Sequence, residues 1–227
     1  MKNVLKQIIC MLAAAAVCAG AASAAPNPPQ TTPVHFHFDV NLAELAAHNG
    51  TLQGSGWGTA IRAGVSWNHI DNTFTYRSIR TSFDGMGSPY WNDSYWDDDL
   101  DYCYDDDFPD GQVARINLGF SYQHLSINDT GFPYAAQGVG FNTGFSLRST
   151  PQLTEYGRIA YVPTLTANNG VNQQFSRQQY DFGVRYKPSV TKGFFIEGGY
   201  FEDVLQGKNG GGGIYNYGPY LGVGSRF

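Results

Sequence analysis

The sequence is poor in cysteine, in long apolar runs and in basic charge, and each scarcity excludes a class of protein. Its three cysteines are Cys10, Cys18 and Cys103. The first two lie in an N-terminal leader, so Cys103 is left without a partner and an internal disulfide framework is excluded. Beyond the leader, no stretch is apolar over the roughly 20 residues that a transmembrane helix needs. A helical membrane protein is thereby excluded. A barrel is not, because barrel strands alternate apolar with polar residues.

Residues 1–24 have the features of a secretory signal peptide. Lys2 and Lys6 supply the positive start, an apolar stretch follows, and Ala22, Ser23 and Ala24 fit the cleavage pattern. Cleavage there removes two of the fourteen basic residues and none of the nineteen acidic ones, which leaves a net charge of −7. A chain this acidic is a poor partner for nucleic acid, and we expect no such partner.

The mature chain of roughly 200 residues is expected to form one all-β domain. Residues 25–56 begin as a proline-rich linker. They continue with VHFHFDVNL, which alternates like a strand, and with AELAAH, which is typical of a short helix, so both interpretations stay open. From residue 57 to residue 227, eight segments fit the strand template: 57–68, 72–83, 113–124, 139–148, 153–164, 180–188, 193–201 and 214–227.

The alternation of these segments suits a soluble β-sandwich and a membrane barrel equally. Trp57 and Trp67 share one face ten residues apart. At the usual rise and tilt this spacing is roughly 25 Å, the height of an outer-membrane apolar band. Because Trp prefers the rims of such a band, both are candidates for a membrane-interface girdle. The opposite faces carry candidate barrel-interior charges, namely Arg62, Arg115, Arg148, Asp181, Arg185, Glu197 and Arg226. Together these features favour an antiparallel transmembrane β-barrel.

The final strand resembles the carboxy-terminal insertion signal of bacterial outer-membrane β-barrels. Phe227 matches its terminal aromatic, Gly222 matches the small residue five positions earlier, and Leu221 and Val223 fit its lipid-facing alternation. Ser225 departs from the pattern, because an apolar or aromatic residue is usual there. With eight strands, the chain resembles the small OmpA/OmpX type. The resemblance implies a place in the bacterial outer membrane, contact with its lipid, and delivery by periplasmic chaperones and the barrel insertion machinery. The interior of such a barrel is filled by side chains.

The long acidic stretch 84–111 fits this topology badly. With eight strands and both chain ends in the periplasm, it falls on the periplasmic side, either as an unusual insertion or as a hidden strand. Asp97, Asp99 and Asp101 recur at every second residue and are candidate Ca²⁺ ligands, because Ca²⁺ prefers carboxylate oxygens. The alternative is a solvated acidic loop. No other cofactor is indicated.

His35 and His37 have the spacing of two metal ligands on one strand face. No third ligand is identifiable, so polar positions near the mouth of a barrel are the favoured interpretation.

Three functions are compatible with these features. The first is an outer-membrane barrel with a structural or surface-interaction role, too narrow to be a wide porin. The second is a secreted soluble β-sandwich that binds a ligand or Ca²⁺ through the acidic stretch. The third is a barrel-rim hydrolase or acyltransferase that uses His69 near Asp71, or His124 near Ser126. Because no spacing marks a nucleophile, a base and an orienting group, we do not expect an enzyme.

Overall fold

The structure is a computed structural model that describes residues 34–84, 90–108, 111–128, 134–167, 174–189, 193–208 and 212–227. The predicted signal peptide and the proline-rich start of the predicted linker, residues 25–33, lie outside these ranges. Ten strands follow one another along the chain: β1 (Val34–Asn49), β2 (Leu52–Trp67), β3 (Ile70–Phe83), β4 (Tyr90–Asp107), β5 (Val113–Asn128), β6 (Tyr134–Arg148), β7 (Leu153–Ala167), β8 (Gln174–Tyr186), β9 (Phe194–Gly207) and β10 (Gly213–Arg226). Among the described residues, no helix is long and apolar enough to cross a membrane.

The sheet closes on itself between its first and last strands. Every strand pairs antiparallel with the next, and β10 pairs with β1. At this seam Val40 lies opposite Val223, and the backbones of Phe36 and Phe227 exchange two hydrogen bonds of 2.7 and 2.9 Å. Closure gives each strand two partners and leaves no sheet edge among them, as a bilayer requires. A single closed sheet also excludes the soluble sandwich, which needs two packed sheets.

The prediction of eight strands is wrong, because the barrel has ten. One strand missing from that count is β1, which confirms the strand interpretation that was left open for VHFHFDVNL and extends it to Asn49. The segment AELAAH within it is strand and not helix, and its Ala43, Leu45 and Ala47 face the barrel interior at strand period. Its composition favours a helix, but pairing with β2 on one side and β10 on the other outweighs that local preference.

The other missed strand, β4, occupies the acidic stretch. The stretch is therefore not a periplasmic insertion, and the alternative of a hidden strand is confirmed. Asp is depleted in strands, and a run of acidic residues that repel one another is more typical of a solvated loop. In β4, however, inward Asp97 and Asp99 alternate with the outward-facing Trp96 and Leu100, and β3 and β5 pair with it along its length.

The barrel has two distinct ends. At the near end β1 begins and β10 ends, and β2, β4, β6 and β8 are followed there by connections of two to seven residues. At the far end the odd-numbered strands are followed by their connections, of which the first is a turn with Gly50 at φ 59°. Only a residue that tolerates positive φ fits that turn, which explains the glycine.

The strands are longer than a membrane crossing requires. A 16-residue strand such as β5 rises about 40 Å along the axis at the usual tilt, against an apolar band of about 25 Å. Along β5 the apolar residues change from outward-facing to inward-facing positions, while the side-chain directions keep alternating. Leu118 faces outward and is 62% exposed, and its outward neighbours Ile116 and Phe120 are 53% and 60% exposed. Farther along, Leu125 and Ile127 face inward and are fully buried. The near part of the barrel is thus apolar outside, and the far part is apolar inside.

Gly222 tests the closure of the barrel. A Cβ at this position would overlap the buried Asn41 carboxamide and lie 2.9 Å from the Val40 carbonyl oxygen, both on β1. We expect Gly222→Leu to lower the free energy of unfolding by about 1–3 kcal/mol, the usual cost of overpacking. Urea unfolding of the folded protein in detergent, followed by tryptophan fluorescence, measures this loss. The control is Leu221→Val on the adjacent outward position, and equal stability of the two variants would contradict the tight β1–β10 seam.

Candidate functional site

The outer surface of the near part is an apolar band. Its exposed members include Val34, Phe38, Leu42, Ile61, Leu100, Ile116, Leu118, Phe120, Phe141, Phe145, Phe182, Val184, Ile196, Leu221 and Val223. An apolar surface that continues around a whole barrel is far larger than the patches that water-soluble monomers expose. It is the surface that a lipid bilayer covers.

Aromatic residues stand at both borders of this band. Trp57 lies at the far border and Trp67 at the near border of β2, and the two side chains are 65% and 53% exposed. Further outward aromatics at or near the borders are Tyr76, Trp96, Tyr102, Tyr104, Tyr122, Tyr161, Tyr180, Tyr186 and Tyr200. Rings with one polar edge suit the two membrane–water interfaces, so these positions are compatible with the predicted girdle, which stays a prediction.

A polar pair interrupts the band between β3 and β4. Asn72 and Asp98 both face outward, and the Asn72 Nδ2 donates to the Asp98 Oδ1 at 2.8 Å. The same amide group donates to the backbone carbonyl of Asp99 at 3.1 Å. These two bonds give the Asn72 amide and the Asp98 carboxyl partners within the protein, which matters because lipid offers them none.

The lumen beneath the band is held by ion pairs that we call the lumenal network, made by Asp39, Arg62, Asp181, Arg185 and Glu197. The Arg62 guanidinium contacts Asp39 at 2.7 Å, Asp181 at 3.4 Å, and Glu197. Glu197 also accepts from Arg185 at 2.9 Å. Because these residues come from β1, β2, β8 and β9, the network joins strands on both sides of the β1–β10 seam. Buried charges are tolerated when they are paired in this way.

The candidate Ca²⁺ ligands point into the lumen and have protein partners. Arg158 contacts Asp97 at 3.8 Å and also Asp99, so its guanidinium lies where a cation would balance their charge. Asp101 accepts from the Asn117 Nδ2 at 2.6 Å. Within the described ranges, no group of three or more His, Cys, Asp or Glu side chains could hold a metal ion.

A further ion pair was missed by the sequence analysis. Arg177 and Asp203 are both buried and make two hydrogen bonds of 2.7 Å. The Arg177 Cζ lies 3.3 Å from the centre of the Tyr95 ring, so the guanidinium is also stacked. One predicted strand begins at residue 180, three residues after Arg177, and the next ends at residue 201, two residues before Asp203. Continuing their alternation by three residues would have found it.

The far part of the lumen is filled by a hydrophobic core, which we call the far plug. Its buried members include Leu45, Ile79, Leu125, Ile127, Val162, Leu165 and Leu205, with Phe83 and Ile214 in a second cluster nearby. Below the plug, a cavity of about 20 Å³ adjoins Ala60, Arg77, Phe201 and Tyr220. This volume is enough for about one water molecule. Along the described strands, side chains therefore fill the lumen.

The predicted histidines are dispersed. His37 lies in the lumen, close to the end where β1 begins, with its Nε2 3.2 Å from the Thr73 Oγ1. His69 stands in the β2–β3 turn, with its Nδ1 3.1 Å from the Cys103 carbonyl oxygen. His124 is on the exterior and stacks on Trp96 at 5.5 Å. These three imidazoles therefore have three different partners in different parts of the barrel.

Comparison with known proteins identifies similar folds only. No protein-family model matches the chain, and no curated protein matches its sequence. Among solved structures, Neisserial surface protein A (NspA) is 14% identical with a TM-score of 0.43, over 85% of this chain and 97% of that one. The outer membrane protease OmpT from Escherichia coli is 11% identical with a TM-score of 0.48, over 89% and 99%. The N-terminal β-barrel domain of Pseudomonas aeruginosa OprF is 14% identical with a TM-score of 0.28, over 83% and 97%. Likeness at this level carries no argument about activity.

The distribution of apolar and charged side chains over the barrel indicates the environment in which it lies. A closed sheet with an apolar outside and paired charges inside is the reverse of a water-soluble barrel, and a barrel of this polarity is the outer-membrane type. The chain is an outer-membrane β-barrel. The predicted fold class and location are confirmed by this geometry, apart from the number of strands.

Glu197 tests the lumenal network of this barrel. Glu197→Gln removes the buried charge that faces both Arg62 and Arg185 and leaves those partly buried cations undercompensated. We expect the free energy of unfolding to fall by about 3–5 kcal/mol. The matched control is Glu202→Gln on the same strand, whose side chain faces outward and should change stability by less than about 1 kcal/mol. Similar losses in the two variants would contradict the role given to the network.

Proposed function

We propose that this barrel is a non-conducting outer-membrane protein with a structural or surface-interaction role. The filled lumen is the observation that supports this proposal. The far plug blocks one part of the interior, and the lumenal network crosses another. Solutes of porin size therefore have no room along the described strands.

The surface offered for interaction is the polar collar, the exterior of the barrel between the apolar band and the far connections. Its outward side chains include Glu44, Gln53, Ser55, Arg80, Ser82, Asn92, Gln137, Thr166 and Gln206. Because the far plug supplies a hydrophobic core beneath it, the collar is supported as the surface of a soluble β-barrel is. If both chain ends are periplasmic, as the resemblance implies, the collar stands on the outer face of the cell.

The final strand supports a second part of the proposal, recognition by the barrel insertion machinery. Leu221 and Phe227 are each 71% exposed, and Val223 faces outward between them. Gly222 faces inward and allows β1 to approach closely. An apolar outward row on the closing strand is thus available for recognition before β10 pairs with β1, and lipid covers it afterwards.

Solute flux tests the proposed function. The full chain, folded and reconstituted into liposomes, should not accelerate their swelling in small sugars, because side chains fill the lumen. In planar bilayers it should produce no stable conductance steps. A wide porin reconstituted in parallel is the positive control, and heat-dependent gel mobility verifies that the barrel is folded. Steady conductance or sugar flux above that of empty liposomes would overturn the proposal.

A further inference from the structure

The near mouth of the lumen differs in charge from the lumen below it. Deeper in the barrel, Arg62, Arg158 and Arg177 each contact at least one carboxylate. At the near end, five cations lie on lumen-facing positions or directly after a strand, and we call them the near-mouth cations. They are Arg115, Arg148, Arg185, Lys187 and Arg226. The whole chain carries a net charge of −5, so this positive concentration is local and not a consequence of composition.

The near-mouth cations share one rim of the barrel, because β6, β8 and β10 end there and β5 begins there. Arg226 is the last residue of β10, and its Nη2 donates to the Ser66 Oγ on β2 at 3.1 Å, so its side chain reaches across β1. Lys187 follows β8. Its pKa is lowered first by burial and then by the positive charges of Arg226, Arg185 and Arg148. Cations from three different strands therefore act on one ammonium group.

Acidic groups at the mouth compensate only part of this charge. Asp105 accepts two hydrogen bonds from Arg115, of 2.5 and 2.7 Å, and Glu197 accepts from Arg185. Asp71 and Asp107 also lie on lumen-facing positions at this end, and Asp71 accepts from the Thr73 Oγ1 at 3.0 Å. Four carboxylates therefore face the five near-mouth cations. For the other three near-mouth cations, no carboxylate lies within 4.0 Å in the part of the chain that the structure describes; these are Arg148, Lys187 and Arg226.

One guanidinium of the group is held in a fixed orientation by aromatic rings. The Arg185 Cζ lies 4.2 Å from the centre of the Phe195 ring and 5.3 Å from that of Tyr156. Stacking of this kind restricts the guanidinium, which then offers its remaining N–H groups in a set direction. An orientated arginine with other cations beside it is an arrangement that binds phosphate oxygens.

We propose that the near mouth of the lumen binds a small, soluble, multivalent anion of the phosphate class. The ligand would supply the negatively charged partner that Arg148, Lys187 and Arg226 do not have among the described residues. It would lie inside the barrel wall, separated from the lipid headgroups. This site is additional to the interaction role of the polar collar and does not depend on it.

Calorimetric titration with inorganic pyrophosphate tests the proposal. The folded full-length chain in a zwitterionic detergent at low salt should give saturable binding. The double variant Lys187→Gln/Arg226→Gln should bind at least tenfold more weakly. The matched control is Lys208→Gln at the far end, where the ammonium group donates to the Thr164 Oγ1 at 2.6 Å. Its pyrophosphate affinity should stay within twofold of the unaltered protein.

Three results would overturn the proposal. They are no saturable heat with the unaltered protein, unchanged affinity in the double variant, or an equal loss in Lys208→Gln. Heat-dependent gel mobility identical to that of the unaltered protein shows that each variant is folded. Addition of phosphatidylglycerol to the micelles should leave the pyrophosphate affinity unchanged, because the barrel wall separates the mouth from lipid. Competition by that lipid would contradict a soluble ligand.

Discussion

The absence of water inside a bilayer is the constraint on which the rest of this structure depends. No solvent there can pair with backbone N–H and C=O groups, so the sheet must satisfy them all by closing. The seam between β1 and β10 performs that closure, from the Phe36–Phe227 backbone pair to the close approach at Gly222. The ion pairs around Arg62 reinforce the same seam from inside, since they join residues of β1, β2, β8 and β9.

A second consequence follows from strands that outrun the membrane. Lipid requires apolar residues on the outside of the barrel, and water requires them on the inside. The apolar residues therefore move from outward to inward positions of a strand where the strand leaves the membrane, although the side-chain directions keep alternating. In the near part lipid covers the outside, so apolar residues face outward and charged residues face the lumen. In the far part water covers the outside, so Leu125 and Ile127 turn inward and build the far plug. One continuous sheet therefore has the polarity of a membrane barrel in its near part and that of a soluble barrel in its far part.

Much of this fold could be predicted from the sequence, and the failures have physical causes. The alternation around Trp57 and Trp67 led to a barrel because period two is local and visible. The segment AELAAH was misread since its helical preference is also local, whereas the pairing that overrides it joins residues distant in sequence. The Asp run of β4 is compatible with either a loop or a strand for the same reason: its neutralising partner Arg158 lies 59 residues after Asp99. The Arg177–Asp203 pair lay just beyond segments ended too early.

The most direct test of the account is a spin-label scan along β5, from Arg115 to Ser126, in a Cys103→Ser background reconstituted into bilayers. Labels at even-numbered positions from Ile116 to Phe120 should collide with oxygen dissolved in lipid. Labels at His124 and Ser126 should instead collide with a water-soluble nickel reagent, and those at buried odd-numbered positions such as Ser121 and Leu125 with neither. Lipid contact at the odd-numbered positions, or water contact along the whole even-numbered row, would contradict the account.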